Sequence, residues 1–132
     1  MSETYQIRLE APNLLHVVVQ GALSDAASQQ LAQDAILAAQ DLQAPVCVLA
    51  DLSQMKPLSP TARLEVLRML RYEGFAFRAY FGASKVVGVL ASVLVKAAMS
   101  SDWTRACTSE AEARAWLQEQ VEYAAGEDPR FQ

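Results

Sequence analysis

The sequence predicts an α/β protein whose elements follow the order β-β-α-β-α-β-α-β-α, with a mostly parallel five-stranded sheet and an antiparallel first strand. Two observations lead to this fold class. Short, strand-like apolar runs alternate with longer segments of helical periodicity along most of the chain, and this alternation requires parallel strands joined by helical crossovers. The first two strand-like runs are separated only by a short turn, which joins antiparallel strands.

The first two strands are indicated by different patterns. Tyr5, Ile7 and Leu9 alternate with polar residues, as in a strand with one buried face. After a turn at residues 12–13, residues 14–20 form a β-branched apolar run that predicts a more deeply buried strand. These two strands form the antiparallel edge of the predicted sheet.

The first helix and the third strand follow. The helix is expected to begin at Ser24 and Asp25, which are residue types that commonly cap helices, and its apolar stripe predicts an end near Leu42. Residues 46–50 are a short continuous apolar run, which is typical of a strand in the middle of a parallel sheet. We expect a polar loop from Asp51 onward.

The second half of the chain repeats the alternation of helix and strand. Ser59 as N-cap and Pro60 in the first turn begin a helix that is expected to end near Tyr72. Ser109 and Glu112 form a capping box, which is the clearest helix start in the chain. The other predicted elements are a strand at 76–81, an apolar helix at 85–99, a strand at 104–107 and a last helix that ends near residue 125.

Length and charge limit the domain count and the partners. A chain of 132 residues has the length of one domain, which we expect to span residues 1–125, with a flexible tail at 126–132. The net charge of −4 argues against nucleic acid as a partner. Between residues 56 and 105, however, eight Lys and Arg stand against three acids. This middle segment predicts either an ordinary solvated face or a surface for an anion or an acidic partner.

Cysteine use and hydropathy predict a cytoplasmic protein. Cys47 and Cys107 lie in apolar runs without a CxxC motif or a histidine at metal-ligand spacing, so we expect buried, reduced thiols. The first residues lack the basic and apolar regions of a signal peptide. The longest apolar run, residues 86–99, contains Lys96 and is too short to be a transmembrane segment.

The order of elements and the residues after the third strand resemble the STAS domain, the SpoIIAA-like fold of anti-sigma-factor antagonists. In that family the third strand leads into Asp-x-Ser-x-Val-x-x-x-Asp-Ser-Ser/Thr-Gly, and a partner kinase phosphorylates the serine after the later Asp. Asp51, Ser53 and Met55 match the first half of the motif. The turn at 82–84 and the segment 108–117 are similar to a divergent, uncharacterised bacterial STAS/SEC14-type branch.

The second half of the motif departs from the family pattern at the switch position. Ser59 stands at the later Asp, Pro60 at the phosphorylated serine and Ala62 at the glycine. Because proline has no hydroxyl group, the phosphorylation switch that the resemblance implies cannot operate at Pro60. Ser59 and Thr61 are the alternative hydroxyl groups.

Candidate ligand or partner residues lie where two neighbouring strands are expected to end. Asp51 and Ser53 follow the third strand, and Ser84 and Lys85 follow the fourth. The carboxyl ends of neighbouring parallel strands open on one edge of a sheet, and a helix start beside Lys85 offers N–H groups and charge for an anion. The alternative is that Asp51 and Ser84 only cap their loops and helices.

The sequence predicts no catalytic residues, no metal site and no cofactor. His16, which is the only histidine, lies in an apolar strand without a second ligand at metal spacing, so we expect a satisfied or half-exposed strand histidine. No nucleophile elbow and no phosphate-binding loop such as GxxxxGK or GxGxxG occurs. We therefore expect a protein that is not an enzyme.

Two successive helices carry more apolar residues than a one-sided surface helix needs. Leu64 and Met69 belong to the first of them, and Val89 and Val93 belong to the second. Such helices are buried within the domain, form an interface, or line a cavity for a lipid. We expect these four residues to be interface residues.

Three hypotheses of function follow. The first is a non-enzymatic interaction module that forms a homodimer or binds a regulatory protein partner. The second is a carrier of a lipid or small apolar ligand, in which the helix at 85–99 lines the cavity and Ser84 and Lys85 hold the polar head. The third is a phospho-regulated anti-sigma-factor antagonist that uses Ser59 or Thr61.

Overall fold

The helices and strands follow one another in the predicted order. The structure, a computed structural model, describes residues 5–10 and 12–127, with side chains to residue 124. Within those residues the elements are β1 Tyr5–Glu10, β2 Leu14–Gly21, α1 Asp25–Ala39, β3 Val46–Met55, α2 Pro60–Arg71, β4 Phe75–Phe81, α3 Lys85–Ala97, β5 Thr104–Cys107 and α4 Glu110–Glu127.

The five strands form one sheet in the order β1-β2-β3-β4-β5. β1 pairs with β2 in the antiparallel direction, and every later pair is parallel. The predicted fold class is therefore confirmed. The parallel strands are joined by helices because a parallel connection must return the chain to the same end of the sheet.

The helices divide between the two faces of the sheet. α1, α2 and α3 pack on one face, where their buried residues meet Leu15, Val17 and Val19 of β2. α4 packs on the other face, where Leu117 lies in a cluster with Leu49 of β3 and several residues of β4. Strands in the middle of the sheet are buried on both faces, which explains their continuous apolar sequence.

The third strand is longer than the sequence predicts. β3 continues to Met55 because its polar end still pairs with β2, with Gln20 opposite Gln54 and Gly21 opposite Met55 beyond a bulge. The register with β4 ends earlier, where Asp51 is opposite Phe81. The expected loop from Asp51 onward was therefore wrong, because backbone pairing to β2 extends the strand through polar residues.

Two helices end earlier than the sequence predicts. α1 stops at Ala39, and residues 40–42 continue in a tighter turn with hydrogen bonds to the carbonyl three residues earlier. α3 stops at Ala97, and Met99 adopts φ +57° while the N–H of Ser100 donates to Val95 O at 3.1 Å. This left-handed closure is a Schellman motif, in which methionine takes the position that glycine usually occupies.

The last helix begins as predicted, with Ser109 Oγ accepting a hydrogen bond from the N–H of Glu112 at 3.1 Å. The Glu112 carboxylate reaches back to the N–H of Thr108 at 3.0 Å, one residue before the cap. α4 continues to Glu127, two residues past the expected end. The division into a domain of residues 1–125 and a flexible tail stays a prediction, and residues 128–132 lie outside the described residues.

Candidate functional site

The carboxyl end of β3 and the turn between β4 and α3 lie against each other. Gly82 has φ +79°, and a Cβ atom added to it would lie 2.9 Å from Cβ of Ser53 and 3.1 Å from its Cα. The turn passes this close to β3 only because residue 82 has no side chain. The structure therefore brings Ser53 together with the turn that leads to Ser84 and Lys85.

The polar groups at this edge are engaged locally. Asp51 Oδ1 accepts hydrogen bonds from the N–H of Ser53 at 2.9 Å and from Ser53 Oγ at 2.6 Å. Ser84 Oγ accepts from the N–H of Val87 at 3.3 Å and so caps α3, whose first residue is the exposed Lys85. These contacts correspond to the capping alternative, which needs no ligand.

Ser59 and Thr61 lie at a different place, where α2 begins beside the start of α1. Ser59 Oγ donates to Asp25 Oδ1 at 2.7 Å and accepts from the N–H of Ala62 at 3.1 Å. This hydroxyl group therefore caps α2 and links it to α1. A phosphate on Ser59 would lie against the Asp25 carboxylate, and this repulsion makes Ser59 a poor substitute for the missing switch serine. Thr61, on the first turn of α2, is partly buried.

The four predicted interface residues divide into two groups. Leu64, Val89 and Val93 are exposed, with 65%, 61% and 58% of their surface accessible. Met69 points inward and packs against the core of the α1–α3 face. Sequence reasoning missed Val86, which is 65% exposed and lies on the same outer side of α3 as Val89 and Val93.

An apolar cavity of about 140 Å³ lies between the sheet and the helices of the α1–α3 face. Its walls include Leu15 of β2, Met69 of α2, and Leu90 and Leu94 of α3. The inner side of α3 therefore lines this cavity, and its outer side is exposed to solvent. The apolar residues of α3 therefore include both buried residues that line the cavity and exposed residues that are available for an interface.

Arg78 of β4 is the one charged residue among the cavity walls, and sequence reasoning did not select it. The residue is only 8% exposed, and one of its terminal nitrogens donates to Tyr72 O at 3.1 Å. Burial lowers the pKa of the guanidinium to about 10, so it stays protonated at neutral pH. The sequence signal that could have identified Arg78 is that it is the single charged residue within the apolar strand Phe75–Phe81.

Arg78 Nε has no hydrogen-bond partner among the described residues. No carboxylate group in that part of the chain forms an ion pair with Arg78 either. A buried charge without a counterion is costly, because the solvation that it loses is not replaced. Arg78 is therefore a buried charged residue with one unsatisfied donor, Nε, among the described residues.

His16 is a buried strand histidine in a polar cluster on the α4 face. Its Nδ1 lies 3.3 Å from Glu10 Oε2, and Arg114 of α4 contacts both oxygens of Glu10 at 3.0 Å each. This cluster ties the edge strand β1 to α4. His16 is 7% exposed and its Nε2 has no partner within the described residues, so the expectation of a satisfied or half-exposed histidine was only partly met.

The Glu10 cluster predicts a dependence of stability on pH. Hydrogen bonds from Arg114 hold the pKa of Glu10 below its ordinary value of about 4.5, against the opposing effect of burial. Because the pKa is lower in the folded state, the stabilisation is complete above the ordinary value and is lost as the pH falls through the folded value. We expect Glu10→Gln to lower the unfolding midpoint in urea at pH 7 and to have a smaller effect at pH 2.5, which lies below the ordinary pKa of the group.

Glu119→Gln, on the exposed side of α4, is the matched control for this prediction. It removes the same charge without the contact to Arg114, so its effect should be small at both pH values. An equal loss of stability for Glu10→Gln at pH 7 and pH 2.5 would contradict the assignment.

The two cysteines are not activated nucleophiles. Burial raises the pKa of Cys47 to about 12, and burial is also the largest cause of the raised pKa of Cys107. Both thiols are therefore protonated at neutral pH, whereas the reactive form is the thiolate.

No group of three or more metal-ligating side chains occurs in the part of the chain that the structure describes. None of the helices in that part is long and apolar enough to span a membrane.

The antiparallel first strand, the three parallel pairings and the strand–turn edge at Ser53 define a STAS-type α/β domain. The comparison with protein families agrees, since the SpoIIAA-like family model matches residues 14–118. The chain belongs to the SpoIIAA-like family. Domains of this kind are generally non-enzymatic and often mediate protein interactions. No curated protein matches the chain in sequence.

Solved structures that share the fold include the following three. An uncharacterised DUF3478-family protein with a SpoIIAA-like fold, from Shewanella loihica PV-4, has a TM-score of 0.67 and 18% identity over 89% of this chain and 98% of its own. The unphosphorylated anti-sigma factor antagonist SpoIIAA has a TM-score of 0.59 and 13% identity over 86% and 97%. The STAS domain of a SulP transporter from Vibrio cholerae has a TM-score of 0.60 and 14% identity over 86% and 87%.

Proposed function

We propose that this protein is a non-enzymatic interaction module that binds an acidic protein partner through the outer side of α3. The observation that carries the proposal is the exposed stripe of Val86, Val89 and Val93. Residues at this spacing lie on one side of a helix. A row of exposed apolar side chains on one helix is the kind of surface that partner proteins bury.

The charges around this stripe favour an acidic partner over a second copy. α3 begins with Lys85, has Lys96 in its last turn, and contains no acidic residue. The neighbouring α2 adds Arg71, whose side chain donates to Ala97 O at the end of α3. Two copies that met through α3 would bring these like charges together, whereas an acidic partner would neutralise them.

The phospho-regulated hypothesis has less support. Pro60 replaces the switch serine, and the hydroxyl group of Ser59 already caps α2 and bonds to Asp25. A module that binds its partner without this switch is consistent with both observations. We propose the cytoplasm as its location, because Cys47 and Cys107 are free thiols, as expected in a reducing compartment.

The cavity supports a second candidate function, the binding of a small apolar ligand. Its walls come from the sheet and from the inner sides of α2 and α3. Ser84 and Lys85, which were expected to hold the polar head of the ligand, are not among the residues that line the cavity. A ligand in this cavity is therefore not held by these two residues, and its site does not overlap the outer side of α3.

A charge-reversal experiment tests the partner surface. Tagged protein is used to isolate the partner from cells of its source, and the affinity for the purified partner is then measured by calorimetry. We expect Val89→Glu to weaken binding at least tenfold, because it places an unpaired charge in the apolar contact and repels an acidic partner. High salt should also weaken the complex with the unaltered chain.

Leu37→Glu is the matched control, because Leu37 is as exposed as Val89, at 60% against 61%, but lies on α1. It should leave the affinity unchanged. Equal affinity of Val89→Glu and the unaltered chain would exclude this surface. Sedimentation that shows a dimer of the unaltered chain, dissociated by Val89→Glu, would replace the acidic partner with self-association.

A further inference from the structure

The cavity between the sheet and the α1–α3 face has a surface made of carbon atoms, with almost no nitrogen or oxygen exposed in it. Arg78 and Thr104 belong to its walls but contribute carbon atoms to them. A terminal nitrogen of Arg78 donates to Tyr72 O, and Nε is buried inside the protein. Thr104 Oγ1 donates to Ser100 Oγ at 3.4 Å. The walls therefore offer no hydrogen bond to a molecule in the cavity.

The chemistry of the walls excludes water and favours apolar atoms. A buried water molecule needs about two to four polar partners, which these walls do not provide. The cavity has a volume of about 140 Å³, whereas most voids in packed interiors are no larger than a water molecule. Wall atoms that have no neighbour on one side lose dispersion contacts. An apolar molecule would supply those contacts without competing against bound water.

We propose that this cavity binds a small neutral hydrocarbon that carries no polar group. The inference rests on the second candidate function, the binding of a small apolar ligand, and names the chemical class of that ligand. A molecule with a hydroxyl, amide or charged group would lose hydrogen bonds to water that the walls do not replace. The cavity therefore selects its ligand by excluding polar groups.

The volume of the cavity limits the size of the hydrocarbon. An apolar protein cavity of about 150 Å³ is large enough for benzene. At about 140 Å³ the present cavity therefore suits a molecule of about six carbon atoms, such as a single ring or a short alkyl chain. Long-chain lipids do not fit this volume without a change of structure.

The walls combine rigid and adaptable residues. Leu15 of β2 and Leu31 of α1 are fully buried in the core of this face. Met55 at the end of β3 and Met69 of α2 also line the cavity but are only partly buried. An unbranched methionine side chain adjusts its shape to its neighbours more easily than a branched one. The two methionines therefore allow the cavity to fit hydrocarbons of slightly different shape.

The test compares two ligands that differ by one hydroxyl group. Benzene and phenol are titrated into the full chain with ¹³C-labelled methyl groups, and the methyl signals are followed by NMR. We expect benzene to bind at least ten times more tightly, because the hydroxyl group of phenol would be buried without a partner. The signals of Leu90 and Leu94, which line the cavity, should shift, whereas those of the exposed Val89 and Val93 should not.

A variant that fills the cavity supplies the second measurement. Ala35 of α1 is buried and lines the cavity, so Ala35→Leu places three further carbon atoms in that space. Ala115→Leu makes the same change on the exposed side of α4 and is the matched control. The first variant should lose the binding of benzene, and the second should retain it. The comparison of the two ligands needs no variant, so a failure of Ala35→Leu to fold leaves the test intact.

Two results would overturn the inference, and they are distinguishable. If phenol binds as tightly as benzene or more tightly, or if Leu90 and Leu94 do not shift, the chain binds small ligands but the cavity does not select a hydrocarbon. If neither ligand binds up to its solubility limit, the second candidate function fails together with the inference. The partner surface on the outer side of α3 is unaffected by either result.

Discussion

Leu49→Ala is expected to lower the free energy of unfolding by about 3–5 kcal/mol. Leu49 is fully buried in β3, where it packs between the sheet and α4 in a cluster with Phe77 and Leu117. Removal of its side chain loses the transfer free energy of the buried carbon atoms and leaves an empty space that a rigid sheet cannot close. Urea unfolding followed by circular dichroism measures the change.

Leu15→Ala is the matched comparison, because Leu15 is also fully buried but lines the existing cavity. Part of its side chain already faces empty space, so it loses fewer contacts, and we expect a smaller cost of about 2–3 kcal/mol. A cost at Leu15 that equals or exceeds that at Leu49 would mean that the α1–α3 face is as tightly filled as the α4 face. The pair of variants therefore also tests the cavity on which ligand binding depends.

Gly82→Ala is expected to cost about 3 kcal/mol, from a left-handed backbone together with a steric clash. The added Cβ would lie 2.9 Å from Cβ of Ser53, and the next nearest atoms belong to the backbone of Ser53, which cannot rotate away. The turn before α3 would have to move away from the end of β3. Thermal or urea unfolding of the variant measures the loss.

Gly21→Ala separates the two causes of this loss. Gly21 has φ +69°, but a Cβ added there would meet no atom within 4 Å. We therefore expect about 1–2 kcal/mol at Gly21, which is the cost of the backbone conformation alone. Equal losses at Gly21 and Gly82 would show that the close approach to Ser53 is relaxed in solution.

The close approach at Gly82 matters for the SpoIIAA-like family pattern. It holds the Asp51–Ser53 pair of β3 against the turn that leads to α3, so two parts of the motif form one edge of the sheet. The switch position lies elsewhere, at the start of α2, where Pro60 has no hydroxyl group. At the position that the STAS resemblance assigns to the phosphorylated serine, this chain has a proline.

Capping residues were predictable because their effect is local. Ser24, Ser59, Ser84 and Ser109 each accept a hydrogen bond from an N–H group three residues later. Such a bond depends on a few consecutive residues and on no distant one. The order of strands and helices, the first residue of each helix and the fold class therefore followed from the sequence.

The ends of β3 and α3 were predicted wrongly because distant or conformational factors decide them. β3 continues past Asp51 since β2 offers free backbone groups to the polar residues, and sequence periodicity does not record that partner. α3 ends where Met99 takes a left-handed conformation that its residue type does not favour. The hydrophobic pattern alone therefore ends β3 too early and α3 too late.

The sequence by itself determined the fold class, the family resemblance and the proline at the position that the resemblance assigns to the switch serine, because each depends on residue identity and local spacing. Only the tertiary structure decided which apolar residues of α3 face solvent and which face the cavity, because residues 86–95 are apolar on nearly all sides of the helix and their sequence does not distinguish a buried side. It also decided that Arg78 is buried and forms no ion pair with the residues that the structure describes. Burial depends on packing among β4, β5 and the helices, and no single segment of the chain contains that information.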